Sequence, residues 1–303
     1  MSVLLDERTR VLVVGASGRQ AQRHVPFMRA YGTRVVAGVA PGRRTDVEAG
    51  YPIFDSVAQA IGRVGGIDLA VLFVPAPHAL SAAAETIGNG IATTVVLAEG
   101  VPFRDSIELT SMAAERGLRI IGPNCQGIIS PGRAKVGASG GKTPQRMFRP
   151  GRVGVVSRSG GMGAETCWLL SRAGIGQSTY VSIGGEAITG ARFPDIARLF
   201  DADDETDAIV CFGEPGTEQE EMLAQDVASG AIRKPVFAYI TGDFVEQLGT
   251  GRSFGHAGAV IGSGSGSPSG KRERLRAAGV HVARRWADLP ALVRDVAPAC
   301  AQD

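Results

Sequence analysis

Residues 10–20 read "RVLVVGASGRQ", and the fold is decided here. A valine-rich apolar run of only a few residues is the pattern of a strand buried on both faces. Gly15 and Gly18 follow it directly. A chain turning there from strand into helix brings backbone N–H groups and a helix N-terminus towards a phosphate. The spacing falls short of a full G-x-G-x-x-G, so a tight turn without ligand stays open as the plainer reading.

Outward from this stretch the same pattern recurs in "TRVVAGVAPG" (33–42), "LAVLFVPAP" (69–77), "TTVVLAEGVP" (93–102) and "LRIIGPN" (118–124). Each run ends in Gly, Pro or Asn, and helix-like segments such as "PHALSAAAETIGNG" (77–90) lie between them. Uniformly apolar strands separated by helices predict a parallel sheet covered on both faces, a doubly wound domain over residues 1–130. Residues 131–150, rich in Pro, Gly and basic side chains, read as a connection.

The rhythm then restarts with "GRVGVVSRSGG" (151–161), "QSTYVSIGGE" (177–186), "DAIVCFGEPG" (207–216), "KPVFAYITG" (234–242) and "GAVIGSG" (258–264). A second α/β domain over 151–303 follows, closing with "ERLRAAGVHVARRWADLPALVRDV" (273–296). The stretch "GSGSGSPSGKRER" (262–274) reads as a mobile low-complexity loop.

Composition bounds the function. The 303 residues suffice for two ordinary domains, and 42 glycines suit many strand-to-helix turns. A net charge of +2 gives no electrostatic case for nucleic acid. Cys125, Cys167, Cys211 and Cys300 form no CxxC pair and no zinc spacing, so they read as reduced thiols and no metal site is expected. No run is long enough to cross a membrane, and the N-terminus lacks the apolar core of a signal peptide; a soluble cytoplasmic protein is the expectation.

Candidate sites follow from the turns. After the second strand, where an NAD-binding fold places an acidic residue, stand Arg43 and Arg44. Cations there favour a phosphate-bearing adenosine, in NADP or coenzyme A, although a solvated basic turn is the plainer reading. Ser157, Ser159, Gly160 and Gly161 make a second anion cradle or an ordinary turn. Glu214, at a strand end, can orient an imidazole or be a plain loop charge. Cys125 has no local base and reads as structural, and His24, His78 and His281 show no partner in sequence. His256, in "SFGHAGAVI" (253–261), is either chemistry or part of a glycine-rich loop.

Taken together, "YGTRVVAGVAPG", "FVPAPH", "IGPNC", "GVVSRSGG", "GIGQSTYVSIGGE", "DAIVCFGE" and above all "GHAGAVI" resemble the α subunit of succinyl-CoA synthetase (succinate–CoA ligase) over almost the whole chain. The resemblance implies an N-terminal Rossmann-like CoA-binding domain, then a flavodoxin-like doubly wound ligase domain. It implies that His256 is phosphorylated during turnover, that Glu214 holds it, and that the turn Ser157–Gly161 faces the phosphohistidine. Coenzyme A would touch Ser17, Gly18, Arg19, Gln20, Arg43 and Leu97–Ala98–Glu99, and the acid would lie near Asn124 and Ala164. A partner ATP-grasp β subunit would bind ATP or GTP with Mg2+, in an αβ or α2β2 assembly.

Departures from the family pattern concern the acid. Where the family reads S-R-S-G-T-L-T-Y-E this chain has "SRSGGMGAE" (157–165), replacing a pocket tyrosine by Ala164 and two threonines by Gly161 and Gly163. The expectation is a larger pocket and a carboxylic acid that is succinate or a bulkier relative. Glu186 and Ala187 replace the family's D-P, and "GEPGT" (213–217) replaces G-E-I-G-G. Two other readings stand beside this one: a NADP-dependent oxidoreductase, and a CoA-binding protein that has lost the ligase reaction.

Overall fold

The structure, a computed structural model, describes residues 3–42, 50–246, 253–254, 256–260 and 266–301. Six parallel strands form the first sheet: β1 (Arg10–Val14), β2 (Arg34–Val39), β3 (Ile53–Phe54), β4 (Leu69–Leu72), β5 (Thr93–Val96) and β6 (Arg119–Ile121), in the order β3-β2-β1-β4-β5-β6. This is the Rossmann order, with its reversal between β1 and β4. Helices α1 (Arg19–Ala30), α2 (Val57–Val64), α3 (Ala79–Gly88) and α4 (Phe103–Glu115) connect the strands.

Alternation along β1 assigns its two faces. Leu12 and Val14 pack with Val57, Ala83 and Leu109 of α2, α3 and α4. Val11 and Val13 join the α1 side chains Ala21, Val25 and Met28. That second cluster continues through Ile128 and Val136 to Phe193, Phe200 and Leu223, so one core joins the two sheets.

The second sheet holds β7 (Gly127–Ser130), β8 (Ala134–Gly137), β9 (Pro150–Ser157), β10 (Gln177–Ser182), β11 (Ala208–Gly213), β12 (Val236–Ile240) and β15 (His281–Val282), ordered β15-β12-β11-β9-β10-β7-β8. The five strands β9, β10, β11, β12 and β15 are parallel and have the flavodoxin-like order. Helices α5 (Gly160–Arg172), α6 (Phe193–Asp201), α7 (Gln219–Ala228), α8 (Asp243–Glu246), α9 (Pro268–Ala277) and α10 (Leu289–Val296) complete the half. A two-stranded antiparallel hairpin, β13 (Ser253–Phe254) and β14 (His256–Val260), stands apart from both sheets.

Three sequence expectations differ from this arrangement. Residues 131–150 are not merely a connection: β8 lies within them and pairs antiparallel with β7, so the second sheet begins at Gly127. Lys135 disguises that strand, because its side chain is fully buried where a surface charge is the usual reading. The run "GAVIGSG" is no strand of the parallel sheet; its described part lies in β14, and β15 takes the fifth place. Within "GSGSGSPSGKRER", residues from Pro268 onward are helix α9, begun by Ser267, whose hydroxyl accepts from the Gly270 N–H, with Pro at the first helical position.

Candidate active site

In the second sheet the chain leaves β9 towards β10 on one side and β11 on the other, and the crevice beyond the carboxyl ends of such strands is where open α/β sheets bind ligands. Three loops meet there: Arg158–Ser159 after β9, Gly184–Glu186 after β10, and Glu214 after β11. Strand β14 brings His256 onto them. Its Nδ1 lies 2.8 Å from Oε1 and 2.9 Å from Oε2 of Glu214. A carboxylate only accepts, so this contact assigns the ring proton to Nδ1 and makes Nε2 the lone-pair nitrogen of the neutral imidazole.

The hydrogen bond that His256 donates to Glu214 raises the pKa of His256 above the ordinary histidine value; burial and the Arg158 charge oppose that rise, and Glu99 adds to it. Ring position is fixed by shape as well. Gly185 carries the ring directly, and Gly258 donates its N–H to the Gly185 carbonyl at 3.1 Å.

Glu214 is itself held from behind. Its N–H donates to Glu220 Oε1 at 3.1 Å, and Lys271 Nζ donates to its carbonyl at 3.0 Å. Lys271, fully buried on α9, also pairs with the Glu220 carboxylate. Arg158, likewise fully buried, reaches Glu214 Oε1 with Nη1 at 3.4 Å. Neither cation was singled out from sequence. Lys271 hides in a stretch that looks like a solvated basic helix, whereas Arg158, a charge between two serines at the end of an apolar strand, was a legible signal.

At the start of α5, Ser159 is the N-cap and its hydroxyl accepts from Met162 N–H at 3.3 Å, while Ser157 Oγ donates to the Ser159 carbonyl at 2.7 Å. Both hydroxyls therefore bind the turn itself, and the first helical turn bears no acidic residue. Gly160 lies against the Gln126 side chain, which leaves no space for a Cβ, whereas a Cβ at Gly161 would meet open space. Ala164 belongs to the core cluster of Val155, Cys167 and Tyr180 and is only 5% exposed. The Ala164 methyl thus packs into core.

A second cleft, of about 500 Å³, lies at the reversal point of the first sheet. Gly18, Arg19, Gln20, Leu97 and Ala98 line it, with Cys125 at one side. Ser17 precedes this lining and Glu99 follows it; Arg43 lies outside the described residues. The residues fit a phosphate-bearing ligand with an apolar arm. Gly18 caps α1 with no side chain, so the helix N–H groups are uncapped there, and the first turn carries no acidic residue. A Cβ at Gly15 would stand 2.5 Å from the Phe73 carbonyl oxygen, with φ at +80°, so backbone alone can form this turn. Cys125 donates to the Val96 carbonyl at 3.3 Å, and burial pushes its thiol up to about 12.

The cleft and the histidine are tied together. Asn124 donates its N–H to the Ala98 carbonyl at 2.8 Å and accepts from the Gly185 N–H at 3.1 Å. Glu186 Oε1 accepts from the Gly100 N–H at 2.8 Å. The loop after β5 and the support of His256 therefore share two bridges.

Family comparison agrees with this geometry. A CoA binding domain matches residues 6–100 and a CoA-ligase domain matches residues 156–281. The α subunit 2 of an ADP-forming succinate–CoA ligase from Archaeoglobus fulgidus is 40% identical over 98% of this chain and 100% of its own length. The chain belongs to the succinate–CoA ligase α-subunit family. The corresponding subunit from Methanothermobacter thermautotrophicus is 41% identical over 93% of each chain. Among solved structures, ATP citrate lyase from Methanothrix soehngenii, in complex with citrate and coenzyme A, superposes with a TM-score of 0.89 at 28% identity. That match covers 99% of this chain and 52% of the lyase, so the chain spans about half the lyase's length. Among the described residues of this family member, no helix is long and apolar enough to cross a membrane.

Proposed function

We propose that the chain is the α subunit of a nucleoside-diphosphate-forming acid–CoA ligase in which His256 carries the phosphoryl group. A partner β subunit of ATP-grasp type would bind ATP or GTP with Mg2+. Nε2 of His256 attacks the γ-phosphorus, the P–O bond to the leaving diphosphate breaks, and a phosphohistidine forms. A carboxylate oxygen of the acid then takes the phosphoryl group and returns Nε2 to the neutral ring. The thiol of coenzyme A, seated along Gly18–Gln20 and Leu97–Ala98, attacks the acyl carbon, loses its proton and expels phosphate. Covalent relay of this kind divides one unfavourable condensation into transfers between activated groups.

The observation that carries this reading is the 2.8 Å contact from His256 Nδ1 to buried Glu214, which directs the proton to one nitrogen and the nucleophilic lone pair to the other. Succinate fits the family; the position of Ala164 gives no reason to prefer a bulkier acid. The test uses the purified chain with its co-expressed β partner, γ-labelled ATP and GTP, and His256→Asn as control. Acid-labile, base-stable label absent from the variant is the expected result, and a panel of carboxylic acids that discharge it identifies the substrate. Coenzyme A binding with no label in the wild-type complex would sink the ligase mechanism and leave a CoA-binding protein.

A further inference from the structure

Arg158 is a cation the sequence offers no role for, and no reaction step above uses it. Its side chain is fully buried at the carboxyl end of β9. Nη1 stands 3.4 Å from Glu214 Oε1 and donates to Thr217 Oγ1 at 3.2 Å. Nη2 donates to the carbonyls of Gly185 at 3.4 Å and Glu186 at 3.2 Å. Nε is buried without a hydrogen-bond partner. One guanidinium therefore touches both loops on which the His256 ring rests.

The approach to β14 is equally close. A Cβ at Gly258 would stand 2.1 Å from Arg158 Nη2, so the guanidinium passes beneath the histidine strand only because that residue is glycine. Glu214 Oε1 is shared: His256 Nδ1 holds it from one side and Arg158 Nη1 from the other.

We propose that Arg158 is a positioning residue that takes up part of the Glu214 carboxylate's charge and so opposes protonation of the His256 imidazole, preserving a neutral, nucleophilic fraction of the ring. Glu214 alone, at hydrogen-bond distance in a buried site, favours the imidazolium, in which Nε2 is protonated and cannot attack phosphorus. A second cation on the same oxygen opposes that protonation, because the imidazolium would then be one of two buried positive charges sharing one carboxylate. Among the described residues, the other charged groups near the ring are Glu99, from the loop after β5, and Glu186, whose carboxylate is turned to the Gly100 N–H. Lys271 and Glu220 pair with each other behind Glu214.

The inference rests on His256 being the phosphoryl carrier, and its test separates the two. The His256 ring is titrated by NMR in wild type, Arg158→Lys and Arg158→Met, with His256→Asn to assign its signal among the four histidines. The same complexes are assayed for label incorporation from pH 6 to 9. In Arg158→Met the ring should titrate about one pH unit higher, a tenfold loss of neutral imidazole below the midpoint, and the acid limb of labelling should move up with it. Arg158→Lys should stay near wild type. Gly258→Ala, which displaces the guanidinium without removing the charge, should move the midpoint the same way and serves if Arg158→Met does not fold. An unmoved or lowered midpoint in a folded variant overturns the proposal, as does labelling reduced equally at every pH, which a purely structural role would give. A wild type that takes no label defeats the ligase reading, while the NMR midpoints still decide the role of Arg158.

Discussion

Gly185 lies so close beneath the His256 imidazole that a Cβ on it would stand 2.5 Å from the ring's Cγ and Cδ2. Real Cβ contacts do not reach that distance, so Gly185→Ala must lift the ring from Glu214. Displacing a reacting group by about 1 Å costs on the order of a hundredfold in rate. Gly185→Ala should therefore fold and bind coenzyme A as wild type does, yet lose phosphohistidine labelling by about that factor. Labelling within a few-fold of wild type would show that the ring does not need this seat.

Removing the Glu214 charge isolates its effect on protonation. Because Glu214 raises the folded pKa of His256, the folded chain holds that proton more tightly than the unfolded chain. The resulting stabilisation is complete below the ordinary histidine range of about 6.5. It is lost as pH rises through the higher folded value. In Glu214→Gln the His256 midpoint should fall towards about 6.5, and the decline of Tm with pH above that range should flatten. The variant should also be less stable overall, since Arg158 loses its carboxylate. Parallel Tm curves for wild type and variant from pH 5.5 to 8.5 would contradict the assignment.

Local pattern was enough to read most of the fold, because most of the parallel strands are short, apolar and soon followed by Gly, Pro or Asn; the two-residue strands β3 and β15 carry no such mark. What escaped notice is held by tertiary contacts. Strand β8 contains a buried lysine, and α9 starts in a glycine–serine tract, so neither shows its own periodicity. At the site, His256 and Glu214 were legible through the family blocks, as were the cleft residues Gly18–Gln20 and Leu97–Ala98. Gly185 and Lys271 were not, since a glycine under a ring and a lysine behind a loop are set by residues about 70 and 57 positions away. The threonine-to-glycine and tyrosine-to-alanine changes on α5 do not show in sequence which way each position faces: Ala164 packs into core, whereas a Cβ at Gly161 would meet open space.

Lys271 and Glu220 form a buried pair on which the Glu214 loop leans. Breaking such a pair from one side leaves an uncompensated charge and costs about 3–5 kcal/mol. Lys271→Met should lose stability in that range by urea unfolding. Lys271→Met combined with Glu220→Leu should recover part of the loss, because no buried charge is then left alone. A double variant less stable than the single one would show that Glu220 contributes more by accepting the Glu214 N–H than its unpaired charge costs.

Lys135 is buried on β8 with the Gly141 carbonyl as its acceptor, at 2.7 Å, and burial lowers its pKa to about 8. An unfolded lysine titrates near 10.4. Below about 8 both states carry the proton and folding bears the whole cost of burying the charge; between about 8 and about 10.4 the folded chain releases it first, so stability rises with pH. Lys135→Met removes that cost, roughly 3 kcal/mol for a shift of this size, and also the hydrogen bond to Gly141, worth about 1 kcal/mol. The variant should be about 2 kcal/mol more stable than wild type at pH 7, with the gap closing as pH passes 10. Chemical denaturation at pH 7, 9 and 10.5 measures it. A variant less stable than wild type at pH 7, by an amount that does not change with pH, would mean that the ammonium is anchored by its hydrogen bond more strongly than burial opposes it.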